Sequence, residues 1–153
     1  MTQIIPDGIK EVLQKLNVKN LIISKQIEKN EECTEILKLS KERKTKVIVV
    51  KKGTKIKIDK NTYFDIFWPE TNNLIEENGI NNNSIVAKLT YGNFKMLFTG
   101  DIEQITEEQI LNNKIDLNST ILKVAHHGSK TSSIESFITC VNPKIALIGV
   151  RKK

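Results

Sequence analysis

Residues 122–133 read Leu-Lys-Val-Ala-His-His-Gly-Ser-Lys-Thr-Ser-Ser and contain both histidines of the chain. The apolar stretch 120–125 predicts a buried strand, and the polar residues after it predict a loop that leads into a helix over 134–141. Ser132 and Glu135 have the spacing of a capping box for that helix. Because neighbouring side chains on an extended backbone point to opposite sides, we expect at most one of the two histidines to face a given metal ion.

This histidine segment supports two interpretations. In the first, His126 or His127 ligates a metal ion, and the hydroxyls and backbone N–H groups of the following loop hold a phosphate. The candidates for that phosphate contact are Ser129, Lys130, Thr131 and Ser132. In the second, the segment is a polar turn between a strand and a helix, with incidental histidines. It is not a Walker loop, because the residues before Lys130 lack the glycine-rich approach of that motif.

A second candidate segment reads Leu97-Phe98-Thr99-Gly100-Asp101 and predicts a strand that ends at a carboxylate. An aspartate at the carboxyl end of a strand in an α/β protein lies where ligands usually bind, and its oxygens are suitable metal ligands. In the alternative interpretation, Asp101 caps a helix over 103–111, whose first turns also contain Glu103 and Glu107.

The rest of the chain predicts an α/β domain with a mixed sheet. Over the first fifty residues, helices and strands alternate, which favours parallel strands joined by crossovers; the predicted elements are a helix over 9–16 capped by Asp7, a strand over 21–24, a helix over 31–44 and a strand over 46–50. Further strands are predicted over 55–58, 63–68, 84–91, 94–99 and 144–150. Gly92 and Asn93 mark a hairpin turn, and the polar stretch 70–82 predicts a loop.

Composition and charge limit the class of protein. With 153 residues, 39% of them hydrophobic, the chain can form one compact domain, which we assign to 1–153. Residues 61–118 are net acidic and both flanking stretches are net basic, which favours an anionic partner. The excess of Lys over Arg, 22 to 2, is equally consistent with a compositional bias. We predict that Cys33 and Cys140 are buried reduced thiols and that Trp68 belongs to the core.

Taken in order, several segments resemble the ComEC-type branch of the metallo-β-lactamase fold. The strings that carry the resemblance are Asn-Asn-Asn-Ser-Ile-Val at 81–86, Leu-Thr-Tyr-Gly at 89–92, Leu-Phe-Thr-Gly-Asp-Ile-Glu at 97–103, the histidine segment at 122–132 and Asn-Pro-Lys-Ile-Ala at 142–146. A weaker match spans 5–70, so the resemblance covers nearly the whole chain.

The resemblance implies an incomplete αββα sandwich with mixed sheets and a metal site at its edge. It implies that Asp101 ligates or bridges divalent ions, Zn²⁺ or Mn²⁺, and that His126, His127 and Ser129 line the same edge. It also implies a metal-dependent hydrolase, most simply a DNA phosphodiesterase that acts during DNA uptake. The catalytic residues stay open, as does enzymatic activity itself.

Two parts of the family's pattern have no counterpart in this sequence. The leading His-x-His-x-Asp-His motif would fall before Met1, and a late histidine segment would fall beyond Lys153. We therefore expect this chain to be inactive or incomplete alone, and to be completed by an N-terminal fragment or a neighbouring chain. The alternative is a non-catalytic remnant or a nucleic-acid-binding module.

The expected location depends on context. The sequence contains no apolar run of the roughly 20 residues that a membrane span needs, and residues 1–10 do not resemble a signal peptide. An isolated chain is therefore expected in the cytoplasm. Attached to a membrane-anchored competence protein, the domain is expected to be extracytoplasmic.

Overall fold

Alternating helices and strands form the first of two compact units into which the chain divides, residues 1–50 and 51–153. The computed structural model describes residues 4–25 and 31–150. The first unit contains α1 (Ile4–Lys15), β1 (Asn20–Ser24), α2 (Glu31–Glu42) and β2 (Lys46–Val50). The strands β1 and β2 are parallel, with Ile22 opposite Ile48, as the order of the elements predicted. Apolar side chains from all four elements are buried, namely Leu13, Ile23, Ile36 and Val50.

The start of α1 corrects one detail. The helix begins at Ile4, so Asp7 lies within it and is not the residue that precedes its first turn. Pro6 explains the earlier start, because proline is well tolerated in a first helical turn, where its missing N–H has no helical partner.

The second unit contains a mixed six-stranded sheet. Its elements are β3 (Lys55–Lys57), β4 (Thr62–Trp68), α3 (Gly79–Asn82), β5 (Val86–Tyr91), β6 (Phe94–Phe98), α4 (Gln104–Asn112), β7 (Ile121–Lys123), α5 (Glu135–Val141) and β8 (Ile145–Leu147). The strands lie in chain order, β3 to β6 antiparallel and β6 to β8 parallel. The mixed α/β class is therefore confirmed, while the metallo-β-lactamase-like sandwich stays a prediction.

The core of this unit lies between the sheet and its helices. Leu97 of β6 and Leu122 of β7 are opposite each other and are buried with Ile110 of α4 and Phe137 of α5. Trp68 is also fully buried, as predicted. Full burial of side chains of this size stabilises the fold by roughly 1.5–3 kcal/mol each.

Several local predictions differ from the structure. The stretch 70–82 is not all loop, because α3 forms at its end; the Asn83 amide donates to the backbone of Ile75 and Gly79 and holds this turn. The strand β8 is shorter than 144–150 and is exposed, as befits the edge of a sheet. Cys140 is exposed and Cys33, in the first unit, is half-buried, so the prediction of two buried thiols is wrong; neither forms a disulfide within the described part of the chain. No helix in the described ranges is long and apolar enough to cross a membrane.

Candidate functional site: the histidine edge

The parallel pairing of β6 and β7 brings the two candidate segments together. Phe98 lies opposite Lys123, so the loops that follow both strands leave the sheet at the same end. Hydrogen bonds join these loops; for example, the Thr99 hydroxyl donates to the Lys123 carbonyl, and the His126 N–H donates to the Gly100 carbonyl at 3.1 Å. We call the four side chains gathered there the histidine edge; its members are Asp101, Glu103, His126 and His127.

The backbone of the two histidines is not extended, which corrects the sequence-based expectation. His126 and His127 have φ values of 44° and 55°, and Gly128 continues the left-handed stretch at 74°. Positive φ is uncommon for residues other than glycine, and such strain is concentrated at functional sites. The consequence is that each histidine faces a carboxylate of the β6–α4 loop.

The first pair joins Asp101 and His127 and is the more open of the two. His127 Nε2 lies 3.8 Å from Asp101 Oδ1, and the His127 side chain is 58% exposed. His127 Nδ1 lies 2.6 Å from the Gly149 carbonyl oxygen. Because a carbonyl can only accept, Nδ1 carries the proton, and Nε2 of the neutral ring faces the carboxylate as an acceptor. Two acceptors that face each other provide a place for a cation.

Asp101 does not cap the following helix, which settles the alternative interpretation of this residue. The residue that precedes α4 in the capping position is Glu103, and its side chain forms no capping hydrogen bond. The Asp101 carboxylate is therefore left for the histidine edge. Only its backbone is fixed locally, by a 3.3 Å hydrogen bond from its N–H to the Ser84 hydroxyl.

The second pair joins Glu103 and His126 and is enclosed. His126 Nδ1 lies 3.5 Å from Glu103 Oε1, and the glutamate side chain is 11% exposed. The amides of Asn78 and Asn82 donate to Oε2, and the Thr131 hydroxyl donates to Oε1. The Asn78 amide is the largest cause that lowers the pKa of Glu103, with Thr131, Asn82 and His126 acting in the same direction against the effect of burial.

Glu103 is the functional residue that sequence reasoning missed, because its place near the start of a helix favoured a structural role. The run of asparagines at 81–83 could have indicated Glu103. It belongs to the strings that carry the resemblance, but no role was assigned to it. Asn82 is fully buried, and its side-chain oxygen accepts from the Glu103 N–H and from the Thr106 hydroxyl. Its backbone carbonyl accepts from the indole N–H of Trp68 at 2.7 Å. Asn82 thus ties the carboxylate to the core.

The loop predicted to hold phosphate is itself held by hydrogen bonds. The Ser132 hydroxyl donates to the carbonyls of Ala125 and Ser129, and the hydroxyls of Ser129 and Thr131 lie 3.0 Å apart. Lys130 is exposed beside them. Their contact with a phosphate stays a prediction.

The predicted capping box of α5 is wrong, and another carboxylate takes its place. Ile134 precedes the helix, and the N–H groups of Ser133 and Ile134 donate to the two oxygens of Glu107 at 2.7 and 2.9 Å. Glu107 is fully buried, and this burial raises the pKa of its carboxyl despite the two N–H donors. Glu107 therefore fixes the end of the loop from the side of α4.

The histidine edge supplies fewer ligands than a metal site usually has. Among residues 4–25 and 31–150, no group of three or more His, Cys, Asp or Glu side chains is arranged to hold one. Metal sites in proteins usually have at least three protein ligands. The edge instead offers two carboxylate–histidine pairs, one of them open to solvent, so Zn²⁺ or Mn²⁺ would need further ligands.

Comparison with known proteins gives partial but consistent matches. No protein-family profile matches the chain. It is 32% identical over 146 residues to the ComE operon protein 3 of Bacillus subtilis, an alignment that covers 95% of this chain and 18% of that protein. It is 33% identical over 85 residues to the competence protein ComA of Neisseria gonorrhoeae, over 55% of this chain and 12% of that protein.

The chain is similar to part of a competence protein. A third match, 39% identical over 71 residues, is the recombination protein 2 of Haemophilus influenzae, of which 8% is covered. The chain spans less than a fifth of the length of each of these relatives.

Proposed function

We propose that this chain acts in DNA uptake and that its histidine edge contributes to a site for hydrolysis of DNA phosphodiesters. The observation that carries the proposal is the convergence of Asp101 and His127 at an exposed edge of the sheet. The competence relatives support the role in DNA uptake. The hydrolytic activity rests on the donor chemistry and on the resemblance described above.

Each group at the edge has a role in this proposal. Asp101 and His127 form the contact with the ligand, because their facing acceptors attract a cation that accompanies a phosphate. Lys130 is exposed in the same loop and attracts the negatively charged DNA backbone. A divalent metal, Zn²⁺ or Mn²⁺, would supply a polarised water in such a site. Its remaining ligands would come from a complementing fragment or a neighbouring chain.

A second candidate function is a non-catalytic module that binds nucleic acid through phosphates. The observation that favours it is the absence of a third metal ligand from the described residues around Asp101 and His127. In this case the basic residues alone would bind DNA, without dependence on a metal ion and with strong dependence on salt.

Binding of a fluorescent double-stranded oligonucleotide to the full chain, followed by anisotropy with Mn²⁺ and after addition of EDTA, separates these functions. We expect Mn²⁺ to strengthen binding in the wild type and the gain to be lost in Asp101→Asn. Glu108→Gln is the matched control, because it removes one negative charge from an exposed position of α4.

Three outcomes count against parts of the proposal. If the affinity for DNA is the same with and without Mn²⁺ and in Asp101→Asn, but decreases steeply with salt, the result supports the non-catalytic module and overturns the hydrolase site. A folded chain that does not bind DNA overturns both functions. DNA cleavage that persists unchanged in Asp101→Asn overturns the assignment of this aspartate.

A further inference from the structure

His126 contains a buried polar atom with an incomplete environment. Its Nδ1 is buried and forms no hydrogen bond with any of the described residues. The side chain is 29% exposed, so the solvent-accessible part of the ring lies at other atoms. The carboxylate oxygen that faces Nδ1 is Oε1 of Glu103, at 3.5 Å. A lone pair on Nδ1 would be repelled by this oxygen, whereas an N–H would be attracted by it.

We infer that Glu103 is a positioning residue, which keeps the proton of neutral His126 on Nδ1 and leaves Nε2 as the acceptor that the ring offers to a ligand. The role of that nitrogen in DNA uptake rests on the proposed function. The tautomer itself does not, because it follows from the contacts of the metal-free chain.

Glu103 can direct the ring because its own position is fixed from several sides. Asn78 and Asn82 donate to one carboxylate oxygen at 2.9 and 3.1 Å, and Thr131 donates to the other at 2.9 Å. Asn82 also accepts from the backbone N–H of Glu103 at 2.9 Å. The carboxylate is thus held by the core, and the histidine must adapt to it.

The consequence for chemistry concerns the other ring nitrogen. A carboxylate that accepts from Nδ1–H fixes the orientation of an imidazole and makes its Nε2 more basic. His126 would then present a fixed acceptor at the histidine edge. The two histidines reach the same tautomer by different means, since the Gly149 carbonyl sets the proton of His127.

The tautomers are measured directly by long-range ¹H–¹⁵N NMR on the ¹⁵N-labelled full chain, at about pH 8.5, two units above the ordinary histidine pKa. In the wild type we expect both histidines to show a protonated Nδ1 and an unprotonated Nε2. In Glu103→Gln we expect the tautomer of His126 to invert. The side-chain carbonyl of the glutamine would accept from Asn78 and Asn82 in place of Oε2. The glutamine NH₂ group would then face His126 Nδ1, and Nδ1 would have to accept a hydrogen bond from it. His127 should not change.

Asp101→Asn is the matched control, because it alters the other pair and should leave the His126 tautomer unchanged. A wild-type His126 with its proton on Nε2 overturns the inference, and so does an Nδ1–H signal that survives in Glu103→Gln. If Glu103→Gln does not fold, the tautomer of His126 in the wild type and in Thr131→Val decides. Thr131→Val removes a hydroxyl but keeps the Glu103 carboxylate, so its His126 should also carry the proton on Nδ1. The measurement uses neither metal nor DNA, so failure of DNA binding would leave the inference standing.

Discussion

The two carboxylate–histidine pairs of the histidine edge differ in how firmly they are held. The Glu103 side chain accepts three hydrogen bonds, from Asn78, Asn82 and Thr131, and it is 11% exposed. The Asp101 side chain is 19% exposed and has no hydrogen bond among the described residues, only the 3.8 Å contact with His127. The His127 side chain is 58% exposed, against 29% for His126. The Glu103–His126 pair is held by hydrogen bonds to its carboxylate, and the Asp101–His127 pair is held less firmly and is more open to solvent.

Because of this difference, we expect the two pairs to have different roles: one contributes to stability, and the other contacts a ligand. Disturbing a buried carboxylate in a hydrogen-bonded network is costly, because each buried group left without a hydrogen bond lowers the free energy of unfolding by about 1–3 kcal/mol. A carboxylate without hydrogen bonds to the protein contributes little to stability and is free to interact with a ligand. We therefore expect substitutions around Glu103 to weaken the fold and substitutions of Asp101 to spare it.

The largest effect is expected for Asn82→Ala. The change removes the amide that accepts from the Glu103 N–H and donates to its carboxylate, so it leaves several buried groups without partners. We expect a loss of about 3 kcal/mol in the free energy of unfolding. Urea unfolding followed by the fluorescence of Trp68, the single tryptophan, measures it. Asn81→Ala is the control, since only backbone atoms of Asn81 form hydrogen bonds among the described residues. Equal losses in the two variants would contradict the account.

A smaller, pH-dependent effect distinguishes Glu103 from Glu107, one helical turn apart. The pKa of Glu103 is lowered, so its contribution to stability is present above the ordinary value of 4.5 and is lost as pH falls through the folded pKa. The pKa of Glu107 is raised, so its contribution decreases as pH rises from 4.5 through the folded pKa. Relative to wild type, Glu103→Gln should lose stability with rising pH, and Glu107→Gln should gain it. Urea unfolding between pH 3 and pH 7 checks this, and slopes of the same sign would refute it.

Thr131→Val should have a modest effect. The hydroxyl donates to Glu103 Oε1, and valine keeps the branched shape without it. We expect a loss of about 1 kcal/mol, the usual net contribution of one hydrogen bond. The urea midpoint measures this loss, which should be smaller in the Glu103→Gln background, because both changes remove the hydrogen bond from the hydroxyl to Oε1. Additive losses would show that the hydroxyl acts elsewhere.

The smallest effect on stability is expected for Asp101→Asn. Its carboxylate has no hydrogen bond to lose among the described residues, so the free energy of unfolding should change by less than about 0.5 kcal/mol. A loss as large as that of Asn82→Ala would mean that both pairs support the core, and the contrast between them would fail.

The sequence predicted the elements well where periodicity is strong and failed where backbone geometry decides. The parallel pair in the first unit and the hairpin at Gly92 and Asn93 are confirmed. The left-handed histidines could not be predicted, because periodicity assigns an extended or helical backbone and does not reveal strain. The order of the segments predicted that Asp101 and the histidines lie close together, yet the residues predicted to start α1 and α5 were wrong. Glu107, distant in sequence from Ser133, takes over that role through tertiary contact.

The measurement that tests the central contrast most directly is an amide ¹H–¹⁵N NMR titration of the full chain with Mn²⁺, whose unpaired electrons broaden nearby signals. We predict that broadening begins at the amides around Asp101 and His127 and that Asp101→Asn abolishes it, while Glu108→Gln does not. Broadening that begins elsewhere in the chain, or that is the same in Asp101→Asn, would contradict the assignment of the exposed pair as the ligand contact.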